Sequence, residues 1–287
     1  MKDTAEDQKG MERNADPKTV SGFGFEWRKF DQSKMTPEES GTGFQEYFKV
    51  FPWQSLPVNA TGFDLGCGSG RWARQVASRV AKLICLDASP EAAAVAKANL
   101  AEFENCVVEI ASVDDMPLAD ASMDFGYSLG VLHHIPDTAA GIRSCVAKLK
   151  PGAPFLVYLY YAFDNRPAWY RLLWKTTDLV RKGISACPHR LRYGLSQMIA
   201  ASVYFPLARL SGILESLHCD VSWIPLSYYR NRSFYTMRTD ALDRFGTGLE
   251  QRFTRAEIAE MMAQAGLERI VFSDGLPYWC AVGYRRA

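Results

Sequence analysis

The chain has almost no net charge: 33 lysines and arginines face 32 aspartates and glutamates over 287 residues, a formal balance of +1. A whole-chain field that weak does not draw a protein to nucleic acid, and no nucleic-acid partner is expected. Its seven cysteines, Cys67, Cys85, Cys106, Cys145, Cys187, Cys219 and Cys280, form no C-x-x-C pair and are odd in number. That excludes a disulfide frame or a zinc knuckle and reads as buried thiols in a reducing compartment, with no metal site. No apolar run opens the chain, because MKDTAEDQKGMERNADPKT is polar throughout. A signal peptide needs an apolar core there. The most apolar later stretch, 198–217, contains Pro206 and Arg209, interruptions that argue against a membrane span. A cytoplasmic protein is the expectation. Repeats and low-complexity tracts are absent, and no feature sets an oligomeric state.

What is present is a globular composition, 48% hydrophobic and 23% charged. The length suits one large α/β domain with an insertion. Residues 1–50 divide into a polar tail to about residue 20 and a cap. The cap holds the aromatic segment F-G-F-E-W-R-K-F at 23–30 and a helix near 43–51. From residue 61 to 160, short apolar runs alternate with helical stretches. Strands are expected at 61–65, 82–86, 106–110, 123–128 and 155–160, and helices at 71–80, 90–101 and 137–149. Residues 51–160 thus read as a parallel sheet covered on both faces. The alternation lapses over 161–250, a stretch rich in aromatics and arginine that reads as a helical or irregular lid. It resumes over 251–287 with a helix at 254–265, where Thr254 and Glu257 fit a capping box. Strands at 267–272 and 278–284 suit an antiparallel hairpin.

The stretch D-L-G-C-G-S-G at 64–70 falls between a strand and a helix. Glycines there permit positive φ and let backbone N–H groups approach a ligand. Asp87 ends the next strand, where an acid can accept from both hydroxyls of a ribose. The dinucleotide fingerprint wants a small residue at position 71, and Arg71 stands there. Asp64, directly before the loop, suits an ammonium group better than a pyrophosphate. An NAD-dependent oxidoreductase is therefore the weaker reading of this loop.

These residues resemble the class I S-adenosylmethionine-dependent methyltransferases, in the branch acting on small molecules. The likeness rests on D-L-G-C-G-S-G, L-D-A-S around Asp87, S-V-D-D-M-P-L at 112–118, D-F-G-Y-S-L-G-V-L-H-H-I at 124–135 and L-K-P-G at 149–152. It implies a Rossmann-like doubly wound sheet, mostly parallel, with an antiparallel C-terminal hairpin strand and a lid insertion. It implies S-adenosylmethionine as cofactor. Gly66, Cys67, Gly68 and Gly70 would line its methionine end, with Asp64 near the amino group. Asp87 would hold the ribose, with Ala88 beside the adenine. Ser112 and Val113 would meet the adenine edge, and Leu129 would offer its carbonyl to the ammonium. Many relatives carry an acid where Ser112 stands, and Asp114 or backbone would take that contact here.

Methyl transfer is an in-line displacement in which the protein aligns the nucleophile, excludes water and, for a hydroxyl, removes a proton. His133 and His134 follow the fourth strand at the carboxyl edge of the sheet, so either can act as base or simply shape the loop. His189 and His218 lack metal-like spacing. Between Tyr160 and Phe245 stand twelve Lys/Arg and six Asp/Glu, a balance of +6. The densest patch, with Tyr228, Tyr229, Arg230, Arg232 and Tyr235, suits a carboxylate or phosphate. With Trp27 and Tyr160 it forms the candidate acceptor site, opposed by the reading of a solvated lid face. The expected function is methylation of oxygen, nitrogen or sulfur on a small, anionic acceptor. A non-catalytic S-adenosylmethionine-binding protein is the alternative.

Overall fold

The alternating segments fold as one open sheet of seven strands. A computed structural model describes residues 14–287. Its strands are β1 (Thr61–Leu65), β2 (Lys82–Asp87), β3 (Cys106–Ile110), β4 (Phe125–Leu129), β5 (Pro154–Tyr158), β6 (Leu267–Phe272) and β7 (Cys280–Arg285). They lie in the order β3-β2-β1-β4-β5-β7-β6. The first five are parallel, and β7 runs antiparallel to both β5 and β6. This is the mostly parallel, Rossmann-like sheet with a C-terminal hairpin that the sequence implied.

The central register explains two sequence runs. Gly62 faces Phe125 across β1 and β4, and Phe63 faces Gly126. A Cβ on either glycine would stand 2.3 Å from the facing phenyl ring. Each phenylalanine therefore fills the space its glycine neighbour leaves, on opposite faces of the sheet. Burying a phenylalanine contributes about 1.5–3 kcal/mol, and overfilling such a site costs about 1–3 kcal/mol. Every residue of β4 is buried.

The order along the N-terminal part is α1 (Pro17–Lys29), α2 (Pro37–Tyr47), α3 (Arg71–Ala77), α4 (Pro90–Asn99) and α5 (Thr138–Lys148). The tail expected to reach residue 20 gives way earlier. Asp16 caps α1 by accepting from the Thr19 N–H at 3.0 Å, and Pro17 opens the helix. The expected 1–13 part of that tail lies outside the described residues. The helix expected near 43–51 is α2, shifted back, because Thr36 caps it and Phe48 ends it.

The lid is helical: α6 (Ala168–Ser185), α7 (His189–Ile199), α8 (Phe205–Ser216) and α9 (Phe234–Gly246), followed by α10 (Arg255–Gln264) in the core. A π turn at Ala200–Tyr204 joins α7 to α8. It falls directly before Pro206, where a proline ring would otherwise clash with the carbonyl four residues back. The helix thus runs unbroken over His189–Ser216, long and apolar enough by length and composition to cross a membrane. The sequence reading, which treated Pro206 as a break, is corrected on this point. The lid's own core is built on α9, whose Met237, Ala241 and Phe245 meet Ile184, Ala200, Tyr204 and Ala208. That i, i+4, i+8 row leaves another face of α9 free to look toward the sheet. The capping box at Thr254 and Glu257 forms as expected.

Candidate functional site

The chain leaves β1 through a turn with Gly66 at φ +75° and Gly68 at φ +56°. A Cβ at Gly66 would meet Val131 at 2.3 Å, and one at Gly68 would meet the Trp27 ring at 2.8 Å. The turn is pinned from below by Gly66 and Cys67, whose N–H groups donate to the Leu86 carbonyl at 2.7 and 3.0 Å. The Asp87 carboxylate accepts from the Gly68 N–H and the Ser89 N–H, each at 2.8 Å. Burial raises the Asp87 pKa, against the pull of those two bonds. Each carboxylate oxygen carries one backbone bond and retains capacity for another.

The carboxyl ends of the parallel strands open onto a cavity of about 350 Å³, whose wall includes Gly66, Asp87, Ala88, Ser112, Val113 and Leu129. This is where open α/β sheets bind ligands. Gly130, also on the wall, has φ +81° and no atom within 4 Å of where a Cβ would stand. The residues present therefore fit an adenosyl ligand: an acid with spare acceptor capacity, and a backbone cradle that a side chain would fill. The other cofactor candidates stand behind the wall. Asp64 is buried, and burial pushes its carboxyl up to about 8 against the Tyr127 hydroxyl beside it. Cys67 is buried in the core, while Gly68 and Gly70 shape the turn. Asp114 is not on the wall either, because its carboxylate accepts from the Asn14 N–H.

The opposite wall belongs to the cap and the lid. It carries Trp27 from α1, Tyr160 after β5, and Tyr228, Tyr229 and Arg232 from the lid, as the sequence suggested. The polar groups are differently arranged from the expectation. Arg232 is 7% exposed and is bound to Glu46 at 2.5 Å, with the Tyr228 hydroxyl on the same carboxylate at 3.1 Å. Arg230 is off the wall and paired with Glu215 at 2.8 Å. Tyr235 is off it too, its hydroxyl accepting from the Gln32 N–H at 2.9 Å and tying the segment after α1 to α9. The patch is not one binding surface, because its guanidinium groups are consumed by carboxylates of the protein.

The two histidines also part. His133 is fully buried, off the wall, its ring 3.8 Å from that of Tyr160 and 4.0 Å from that of His134. Burial drives its pKa well below the usual value. His134 is on the wall. Its Nδ1 lies 2.7 Å from the Leu249 carbonyl, an acceptor only, so Nδ1 carries the proton. That leaves Nε2 as the lone-pair nitrogen, without a hydrogen-bond partner among the described residues and 3.9 Å from an Asp243 oxygen. Burial lowers the His134 pKa to about 4, so the ring is neutral at physiological pH.

Among the wall residues that escaped the sequence reading are Glu26 on α1, and Asp240 and Asp243 on α9. Asp240 accepts from the Tyr229 hydroxyl at 2.9 Å, and Asp243 from the Tyr160 hydroxyl at 2.5 Å. Burial raises both aspartates to about 6. Glu26, 4% exposed, is raised well above the carboxylate range, by burial first and then by the two aspartates facing it. The available signal was the i, i+3 spacing of Asp240 and Asp243, opposite the apolar row of α9.

The methyltransferase-domain family model matches residues 63–157. A ubiquinone biosynthesis O-methyltransferase of Xanthomonas campestris is 34% identical over 189 residues, 65% of this chain and 74% of its own length. One from Xanthomonas axonopodis is 29% identical over 188 residues, 64% of this chain and 74% of its own. Among solved structures, a chain from the complex of the Haloferax volcanii Trm112 methyltransferase activator with a methyltransferase superposes with TM-score 0.51 at 16% identity. That superposition covers 93% of this chain and 98% of the other. Sheet order, glycine turn and relatives agree: the chain belongs to the class I S-adenosylmethionine-dependent methyltransferases, and S-adenosylmethionine is its methyl donor.

Proposed function

We propose that the enzyme transfers the methyl group to a hydroxyl oxygen of a small molecule held in this cavity, with His134 as proton acceptor. The observation that carries this is the His134 tautomer. Its Nδ1–H is committed to the Leu249 carbonyl, its ring lines the cavity, and its Nε2 is a buried lone-pair nitrogen without a hydrogen-bond partner among the described residues, 3.9 Å from Asp243. The donor supplies an electrophilic methyl on a sulfonium. What remains for the protein is to place the acceptor, exclude water and take a proton. Asp87 would accept from the ribose hydroxyls, with Ala88, Ser112 and Val113 beside the base. A hydroxyl needs deprotonation, and a neutral imidazole with a carboxylate 3.9 Å from the accepting nitrogen is suited to it. The carboxylate stabilises the imidazolium as it forms. The names of the O-methyltransferase relatives support oxygen as the target.

The carboxylates on the wall also reshape the expected acceptor. Asp240 and Asp243 already accept from tyrosine hydroxyls and Glu26 stands protonated beside them, so hydroxyl groups match this part of a wall that also carries Arg71, Arg244 and Arg252. The acceptor proposed here is therefore an uncharged, hydroxylated small molecule rather than a carboxylate. The test is a panel of polyhydroxylated aromatic and aliphatic compounds, with S-adenosylhomocysteine release as readout and mass spectrometry to place the methyl. His134→Gln should keep S-adenosylhomocysteine affinity and lower kcat about 100-fold or more, the usual contribution of a positioned base. A methyl found on nitrogen or carbon, or undiminished turnover in His134→Gln, refutes the proposal.

A further inference from the structure

The lid presents a large apolar surface that none of the described residues covers. Of the exposed large hydrophobic residues, most lie on α6, on the helix His189–Ser216 or just beyond it. On α6, Leu172 and Leu179 are 64% and 70% exposed, and on the longer helix Met198, Ile213 and Leu217 are 58%, 59% and 66% exposed. In the 18-residue window that makes this helix apolar enough for a membrane, only 22% of the residues are buried. A core helix would be mostly buried. Trp169 and Trp223, both half-exposed, flank the surface.

This helix does not stand free to cross a bilayer. Its Ala200, Tyr204 and Ala208 are packed on α9, and Tyr204 lines the methyl-transfer cavity. Pulling the helix through a membrane would dismantle that wall. It can lie on one, with the inner row on α9 and the outer row in lipid. Around α6 and the start of the longer helix the unpaired charge has one sign, while at the far end Glu215 is paired with Arg230 and Asp220 is exposed. Arg171, Lys175 and Arg190 are exposed and have no ion-pair partner among the described residues. The acid of this stretch of α6, Asp178, is turned to Arg181 and Lys182 at 2.6 and 3.1 Å. In a two-fold dimer built on this face, the same unpaired cations would meet one another. On an anionic bilayer they meet their complement, beside tryptophans suited to an interface.

We propose that the outer face of α6 and His189–Ser216 docks on an anionic lipid bilayer, lying in its surface. This gives the lid a second role: it closes the cavity on its inner side and seats the enzyme on lipid with its outer side.

The test is flotation of the full chain with vesicles of phosphatidylcholine alone and of phosphatidylcholine with phosphatidylglycerol. Binding should be at least tenfold stronger to the anionic vesicles and should fall with salt. The double variant Leu179→Ser/Ile213→Ser and the charge variant Arg171→Glu/Lys175→Glu should each lose at least tenfold in binding. Both pairs are exposed, so melting temperature and S-adenosylhomocysteine affinity should stay at the parent values. No flotation, or equal binding to both vesicle types, overturns the proposal. A dimer in sedimentation equilibrium that Leu179→Ser/Ile213→Ser dissociates, without vesicle binding, also overturns it and assigns the face to a second copy.

Discussion

Gly68→Ala tests the link between the cap and the cofactor turn. Gly68 has φ +56°, which costs an ordinary L-residue about 1–2 kcal/mol whatever surrounds it. The added Cβ would also stand 2.8, 2.9 and 3.0 Å from three atoms of the Trp27 indole. All three belong to one rigid ring on α1, so relief requires the ring or the helix to move. Overfilling of that kind costs about 1–3 kcal/mol. The single substitution should therefore destabilise the protein by about 2–5 kcal/mol. In a Trp27→Ala background the ring is gone and only the backbone part, about 1–2 kcal/mol, should remain. The cycle thus predicts a coupling of about 1–3 kcal/mol, read from denaturant unfolding of the parent, both single variants and the double variant. S-adenosylhomocysteine affinity should fall in Gly68→Ala as well, because the Gly68 N–H holds Asp87. If the two substitutions add within about 0.5 kcal/mol, Trp27 does not press on the turn and this account of the cap is wrong.

Asp87→Ala should weaken S-adenosylhomocysteine binding about 100-fold or more, since it removes an acceptor for two charge-assisted hydrogen bonds worth about 1.5–3 kcal/mol each. Unchanged affinity by calorimetry in a folded variant would remove Asp87 from the site. The Asp243 carboxyl is raised to about 6, so its ionised form is lost as pH falls through that value. With Asp243 required ionised, kcat/KM should decline below about pH 6, and Asp243→Asn should abolish that limb while lowering the plateau; a profile identical to the parent's would exclude the role. Arg232→Met should leave Glu46 without its buried partner and destabilise by about 3–5 kcal/mol, whereas Arg230→Met, at a more exposed pair, should cost about 1 kcal/mol or less. Equal melting temperatures for the two variants would contradict the burial difference.

The sheet was legible because its signals are local. The expected bounds of β1, β3 and β6 match those found, each a short apolar run between turn residues. The glycine turn and Asp87 were readable because backbone chemistry demands those residue types at that spacing. The shift of α2 shows two signals in competition. Thr36-Pro37-Glu38-Glu39 is a helix start, and an aromatic run follows it to Trp53. Those rings stack on one another, with Phe48 and Trp53 centroids 5.5 Å apart, outside the helix. The lid was the hardest part because its helices break the usual pattern. The helix α8 buries one narrow row on α9 and exposes another apolar row, so the contrast between its faces is weak. The acceptor wall was hidden for a different reason. Glu26 and the α9 aspartates are more than 200 positions apart, and only the fold brings them to one cavity.

The lid is rich in arginine, yet two of its few acids, Asp240 and Asp243, reach the cavity, and the hydrogen bonds explain why. Arg181 donates to the Thr247 carbonyl at 2.7 Å, and Arg192 to the Gly246 carbonyl at 2.6 Å. Both carbonyls lie at the C-terminal end of α9, where a helix leaves acceptors unpaired and carries its negative pole. Arg209 reaches the Arg230 carbonyl at 2.9 Å, and Arg232 holds Glu46. The arginine excess counted in the sequence is thus spread over joints that fix α9 and its neighbours. Fixing α9 by its C-terminal end orients Asp240 and Asp243 toward the sheet, with Tyr229 and Tyr160 bonded to them. A count of charges along a segment reports how that segment is held as much as what it binds. In this lid, the cations serve mainly as structural joints and the carboxylates are left to meet the acceptor.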